Sequence, residues 1–410
     1  LSTCSAFELG YIALLDFVYR TSFTFETLDD LEKYRGHLLN WYDTETRETL
    51  TPRYVSTVDS GNFAMSLIGV YQTLLELPDQ KICHTRLFDG VYDGLDVFCE
   101  VVLSIKKDTL QDTVNSLAEH CRTIQKEIKE KTLSDSRQLD LLTTIEKRLA
   151  EPMNILLKNI LQMEGVIEAD RLKDLRYWSN VNFQHLINMR SQINLLLPWI
   201  QTWANRPDFV DGVKDPQWQT DFEILIDERA MQISLAKIPE FCESALTAVK
   251  SFTSANENNP LADLTNAHKQ VLSKWTKTFV DDLKTSKANA EDALSLINAL
   301  QAKIQFHLER MEFDFLYDEN REVFYLGYQV GSGRLDQNHY DLLASEARTA
   351  SLYAIAQNEV SRSHWLHLSR PFTSIDGYPT LLSWNGSMFE YLMPNLFTKL
   401  YPETLLQQTS

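Results

Sequence analysis

Three carboxylates sit where an acidic side chain could do chemistry. Glu346 lies in Tyr340-Asp341-Leu342-Leu343-Ala344-Ser345-Glu346-Ala347-Arg348. If a helix runs from about Tyr340 to Gln357, then Leu342, Leu343, Ala350 and Tyr353 share its face. A carboxylate on an apolar stripe is desolvated, which raises its pKa and suits a general acid. The alternative is a boundary glutamate paired with Arg348 or Arg362. Glu390 lies in Ser383-Trp384-Asn385-Gly386-Ser387-Met388-Phe389-Glu390-Tyr391-Leu392-Met393-Pro394. Pro394 has no N–H for the carbonyl of Glu390, so a kink beside an acid and a tryptophan is expected. The same pattern fits an acidic residue at the positive start of a helix. Asp59, before Ser60-Gly61-Asn62, reads either as an N-cap or as an acceptor for sugar hydroxyls at a pocket mouth.

The aromatic residues Trp41, Tyr42, Trp384 and Tyr391 have the flat faces and polar tips that stack on sugar rings, or they fill a core. His364 and His367 are three apart, but no third ligand follows in sequence, so capping a helix end before Pro371 is the better reading. Gly331-x-Gly333 lacks the third glycine and the helix of a dinucleotide motif and reads as a turn. Neither HExxH nor GxSxG occurs. No metal or cofactor is expected.

Composition narrows the classes. The 410 residues carry 39 basic and 57 acidic side chains, a net charge of −18. Such a chain does not track a phosphate backbone, so nucleic acid is not an expected partner. Glycine is scarce, 13 in the chain, which weighs against glycine-rich phosphate loops. Five scattered cysteines without a CxxC pair point to a reducing compartment rather than a disulfide framework. No apolar run approaches the length of a membrane span, so no membrane contact by this segment is expected. The chain begins with Leu1 and no leader pattern follows; the expectation is a piece of a longer protein.

The elements that must position these residues follow from glycine and apolar spacing. Residues 95–326 hold only Gly165 and Gly212, whereas both flanks hold several. The middle reads as long helices: one begins at an Asp135/Gln138 capping box with the stripe Leu142, Ile145, Leu149. Another carries Ala293, Ile297, Leu300, Ile304, Leu308. Pro198, Pro207, Pro216, Pro239 and Pro260 punctuate the region. Helices are expected over residues 8–35, from about Phe63 to Glu76, and again from about Ser387. Phe313–Tyr317 and Val323–Tyr328 around a polar turn predict a β-hairpin. The division is 1–95 and 306–410 as two parts of one domain, with 96–305 as a helical insertion.

Gly36-His37-Leu38-Leu39-Asn40-Trp41-Tyr42-Asp43 and Pro52-Arg53-Tyr54-Val55-Ser56-Thr57-Val58-Asp59-Ser60-Gly61-Asn62 resemble a stretch of the cyclic β-1,2-glucan synthases. So do Leu326-Gly327-Tyr328, Arg334-Leu335-Asp336, Tyr340 to Arg348, and Ser383 to Pro394. The similarity covers roughly residues 8–95 and 305–400; the middle matches only in being helical. The resemblance implies the middle, glycoside-hydrolase-like part of a large bacterial inner-membrane protein, lying on the cytoplasmic side. It also implies a mainly α, (α/α)6-barrel-like fold, incomplete here, with a helical insertion and a small β-hairpin.

The activity implied is retaining intramolecular transglycosylation, in which linear β-1,2-glucan is cut and its new end joined to its own chain. The alternatives are a non-catalytic helical scaffold and a β-1,2-glucan hydrolase. Partners implied are β-1,2-glucan and other domains of the same polypeptide. Glu346 matches the family's Ser-Glu-Ala-Arg motif and takes the acid/base role. The nucleophile is expected on a glutamate beyond Ser410, with Glu390 the next choice. Asp59, Asn62, Trp41, Tyr42, Arg53, Tyr340, Asp341 and Trp384 are then the substrate-binding set.

Overall fold

The computed structural model describes residues 1–82, 86–105, 110–130, 169–211, 233–253 and 264–410, with single positions between 142 and 158. The protein is mainly α. It divides into two compact units. The first comprises Leu1, Thr21–Leu75 and Asn298–Ser410; the second comprises Ser2–Arg20 and Glu76–Ile297.

Every named element among the described residues of the second unit is a helix; Lys81 and Ser234 form a lone bridge. Its main helices are α4 (Arg86–Leu103), α5 (Gln111–Glu130), α6 (Ala169–Leu196), α7 (Trp199–Ala204), α8 (Asp208–Asp211) and α9 (Ile238–Thr253). The helix α4 packs on α5 and α6. Gly94 of α4 gives the amide of Asn182 its place: a Cβ there would lie 2.6 Å from the Asn182 side-chain oxygen. Leu142, Ile145 and Leu149 are all buried, as their stripe requires. Asp135, Gln138, Gly165, Gly212, Pro216, Pro260 and Cys83 lie outside the described residues. The other four cysteines are free and buried. Burial pushes the Cys121 thiol up to about 12 and that of Cys242 up to about 11, so neither is a ready nucleophile at neutral pH.

The helix α10 (Asn266–Glu309) contributes to both units and buries Ala293, Ile297, Leu300 and Ile304 on one stripe.

The helix α1 (Ser2–Glu8) belongs to the second unit, and the helical reading of 8–35 becomes α2 (Leu14–Asp30), which contributes to both units, followed by the small antiparallel pair β1 (Lys33–Tyr34) and β2 (His37–Leu38) of the first. Next come β3 (Tyr54–Ser56) and α3 (Thr57–Glu76). The expected hairpin at 313–328 is split. Asp314–Leu316 is a 3-10 turn, and β4 (Tyr317–Asp318) pairs only with β5 (Val323–Phe324). The strand β6 (Gly327–Gln329) pairs instead with β3 and with β7 (Arg334–Leu335). Gly327 permits this, because a Cβ there would lie 2.3 Å from both the Tyr54 hydroxyl and the Val55 carbonyl oxygen. Gly331-x-Gly333 is the β6–β7 turn, with Gly333 at φ +65°.

The expected helix over 340–357 is also corrected. Residues 341–347 form turns, and α11 covers only Arg348–Ala356. Then follow α12 (Ser363–His367), the hairpin β8 (Phe372–Ile375) and β9 (Tyr378–Leu381), α13 (Met388–Leu392) and α14 (Leu405–Thr409). One core joins Leu39, Val55, Ala64, Phe313, Phe324, Ala350 and Tyr353. A smaller one joins Val323, Leu342, Leu343, Leu368 and Leu381. His364 is buried within this region, its ring bonded to the Glu322 carbonyl and the Ser351 hydroxyl; His367 bonds the Ser363 carbonyl.

The helices α3 and α11 pack closely. A Cβ on Gly61 would fall 2.5 Å from the backbone nitrogen of Ala350, where neither backbone can yield cheaply. Gly61→Ala is therefore expected to destabilise the protein by about 1–3 kcal/mol, although alanine favours helices. Urea unfolding measures it; an unchanged midpoint would contradict the contact.

Candidate functional site

Because α3 and α11 meet backbone to backbone at Gly61, the next residue on α3 reaches across. The Asn62 side-chain amide donates to Glu346 Oε1 at 2.8 Å. The Thr349 hydroxyl, on the first turn of α11, lies within hydrogen-bond distance of the Asn62 side-chain oxygen at 3.1 Å and of the Glu346 main-chain carbonyl at 2.8 Å, its one proton shared between them. The second Glu346 oxygen accepts from the Ser345 hydroxyl. Glu346 is only 6% exposed. Its partners are neutral; neither Arg348 nor Arg362 pairs with it. Both sequence readings of Glu346 thus change: it precedes the helix rather than riding its apolar face, and no arginine neutralises it.

Ser345 holds a positive φ of 51°, a conformation that costs a serine free energy and is maintained by its surroundings. The restraint comes from Glu390. Its Oε1 accepts the Ser345 N–H at 3.0 Å, while Oε2 accepts the N–H groups of Asn385 at 3.2 Å and Ser387 at 3.4 Å. Glu390 is the third residue of α13, and with Ser387 forms a complete capping box. Burial pushes its pKa up, but hydrogen bonds from Ser383, Ser345, Asn385 and Ser387 outweigh that and hold it below the ordinary value. The helix gives way to a 3-10 turn at Met393–Leu396, where Pro394 stands. Arg348 donates to the carbonyls of Glu390 at 3.2 Å and Tyr391 at 2.8 Å, tying α11 to α13.

Asp59 is not the N-cap of α3. The Ser56 hydroxyl accepts the Asp59 N–H at 3.2 Å and takes that role, leaving Asp59 exposed in the first turn. Asp59 and Asn62 are three apart and share a face. Tyr340 feels both sides of this group: burial, then the charges of Asp59, Glu346 and Asp336, hold its hydroxyl in the protonated form well above the usual range. Burial and a bond donated to Asp336 do the same for Tyr54. Trp384 stacks on Tyr340, ring centres 6.0 Å apart, and donates its indole N–H to Asp341 at 2.8 Å. Burial raises the Asp341 pKa against that bond, with the Glu390 charge adding to the rise.

Asp59, Asn62, Tyr340, Asp341, Glu346, Trp384 and Glu390 are therefore linked through contacts or mutual charge. Trp41, Tyr42 and Arg53 are tied to a different set. The Tyr42 hydroxyl accepts the Leu39 N–H at 2.7 Å and donates to the Glu32 carbonyl at 2.6 Å, and Arg53 pairs with the Glu32 carboxylate. Trp41 is 48% exposed and accepts from the Leu50 N–H through its carbonyl. Ser345, Thr349 and Ser56 do work that residue types alone did not flag. Thr349 had a signal in its three-residue spacing from Glu346; the φ of Ser345 had none. Among the described residues, no group of three or more histidine, cysteine, aspartate or glutamate side chains could hold a metal ion. No described helix is long and apolar enough to cross a membrane.

Fold and site together define a mainly helical protein with small open sheets and a buried glutamate held by neutral hydrogen-bond donors. No protein-family profile matches the chain. Among curated proteins it is similar to the cyclic beta-(1,2)-glucan synthase NdvB of Rhizobium meliloti (strain 1021), with 28% identity over 417 residues. The alignment takes in 100% of this chain and 11% of the relative. The resemblance seen in the motifs therefore extends through the helical middle, which the motifs did not cover.

The Glu390 geometry carries a pH signature. A glutamate held below its ordinary value of 4.5 stabilises the fold fully above that value, and the contribution is lost as pH falls through the folded-state pKa. Glu390→Gln should cost roughly 1–3 kcal/mol at neutral pH. The deficit should shrink once the pH drops below the ordinary glutamate range. Denaturant unfolding of both proteins across acid and neutral pH measures it; a constant gap would contradict the assignment.

Proposed function

We propose that this protein acts on linear β-1,2-glucan by retaining transglycosylation, with Glu346 as the acid/base. The carrying observation is the buried Glu346 carboxyl, gripped by Asn62 and Ser345, with the exposed Asp59 one turn from Asn62. The similarity to a named glucan synthase supplies the substrate class. On this reading Glu346, protonated, gives its proton to the leaving glycosidic oxygen while a carboxylate attacks the anomeric carbon. A hydroxyl of the same glucan then displaces the enzyme from that carbon, and Glu346 takes the hydroxyl's proton. Asn62 and Ser345 fix the direction of the transfer. Asp59 accepts sugar hydroxyls, and Trp384, stacked on Tyr340, offers a ring face to a glucose unit. Glu390 has both oxygens committed to main-chain N–H groups, which supports positioning rather than attack. Neighbouring domains of a longer polypeptide are its proposed partners, the chain spanning 11% of the relative's length.

The test is incubation with linear β-1,2-glucan, scoring products that an exo-acting β-glucosidase cannot degrade. Such products are expected from a polypeptide that also supplies the attacking carboxylate, and the 410 residues alone should bind the glucan and turn it over negligibly. Glu346→Gln in that polypeptide should lower their formation about 10²–10⁴-fold, and Asn62→Ala should lower it less. Reducing linear fragments alone would convert the reading to a hydrolase. Binding without turnover by that polypeptide, equal with and without Glu346→Gln, would leave a scaffold.

A further inference from the structure

A cavity of about 580 Å³ opens in the first unit between α11, α12 and the segment Asn395–Leu406. That volume lies within the range of small-molecule sites, roughly 300–1,000 Å³. Glu346, Asp59 and Asn62 do not line it. Three cations do: Arg348, Arg370 and Lys399. Arg348 is only 2% exposed. Among the described residues, no acidic side chain lines the cavity and no carboxylate forms a salt bridge with any of the three.

Their hydrogen bonds orient them without cancelling charge. Arg348 donates to the carbonyls of Glu390 and Tyr391 and to the Asn395 side chain. Arg370 donates to the carbonyls of Trp365, Leu366 and Leu368. The Lys399 ammonium stands 5.8 Å from the Tyr401 ring centre. In a chain with 57 acidic side chains against 39 basic, three cations lining one opening, with no acid among its described lining residues, run against the overall balance. Burying the Arg348 charge is costly unless a counter-charge arrives, and burial alone holds its guanidinium down to about 10; Arg370 is half-buried and Lys399 exposed. Guanidinium groups match the oxygens of phosphate in geometry as well as charge. The remaining wall is largely aromatic and aliphatic, with Trp365 and Tyr401 at the lining.

We propose that this cavity binds an organic phosphate, its dianionic head among Arg348, Arg370 and Lys399 and an apolar or ring-shaped body against Trp365 and Tyr401. Three positive charges suit a dianion better than a single carboxylate. The proposal is independent of the glucan reading.

Phenyl phosphate is the probe, titrated calorimetrically into the protein at low salt beside inorganic phosphate and uncharged benzyl alcohol. Phenyl phosphate should saturate one site, inorganic phosphate should bind about tenfold more weakly, and benzyl alcohol should show no saturation. Lys399→Gln, at an exposed position, should weaken phenyl phosphate about tenfold with circular dichroism and melting unchanged. Arg370→Gln should weaken it by a similar factor. Absence of saturation at about 10 mM phenyl phosphate would overturn the proposal. So would affinity unchanged in both variants, or benzyl alcohol binding as tightly.

Discussion

Everything at the candidate site depends on one steric fact: α3 and α11 touch backbone to backbone at Gly61 and Ala350. An asparagine amide reaches only a few ångströms from its own helix. With a side chain at position 61 the helices would separate, and Asn62 would lose Glu346 and Thr349 together. The contact also fixes Asp59, which shares the Asn62 face. A packing constraint thus becomes a chemical one, since a buried carboxyl needs donors at fixed distances to remain in place.

A second restraint acts from the other side. Glu390 holds the turn before α11 in a left-handed kink at Ser345, and that kink turns the Ser345 hydroxyl onto Glu346. Strain of this kind persists only where the surroundings over-determine it. Here one carboxylate serves as helix cap and turn clamp at once. The two glutamates divide the labour: Glu390 spends its oxygens on main-chain donors, and Glu346 accepts only from side chains, which a bound ligand can displace at lower cost to the fold.

Much of the helical framework was legible from spacing alone. Ala293, Ile297, Leu300 and Ile304 form the buried stripe that steps of three and four require. The pairing of Asn62 with Glu346 was not legible, because they are 284 residues apart and no local period links them. The same limit undid the hairpin at 313–328. Aromatic alternation gave a strand only at its ends, Asp314–Leu316 being a 3-10 turn, and β6 took its partner from β3, across most of the chain. The helix over 340–357 failed for a different reason. Ser345 and Glu346 are ordinary in a helix, and only the distant Glu390 makes the turn preferable. Asp59 lost the cap role to Ser56, three residues earlier, since two good capping residues stood close together and sequence could not choose between them.

The strand pair β3–β6 has a consequence for synthesis. At roughly 5–20 residues per second, the ribosome delivers Glu346 about 15–60 seconds after Asn62, given the 284 residues between them. Through that interval β3 presents an unpaired edge, and α3 carries a buried-type face with no partner. Nascent chains in this state are open to edge-to-edge association. The second unit, most of which is encoded in between, includes the sequence-adjacent helix pair α4 and α5 and can begin to form while the first unit waits. Its early folding would shorten the effective loop that must close before β6 finds β3.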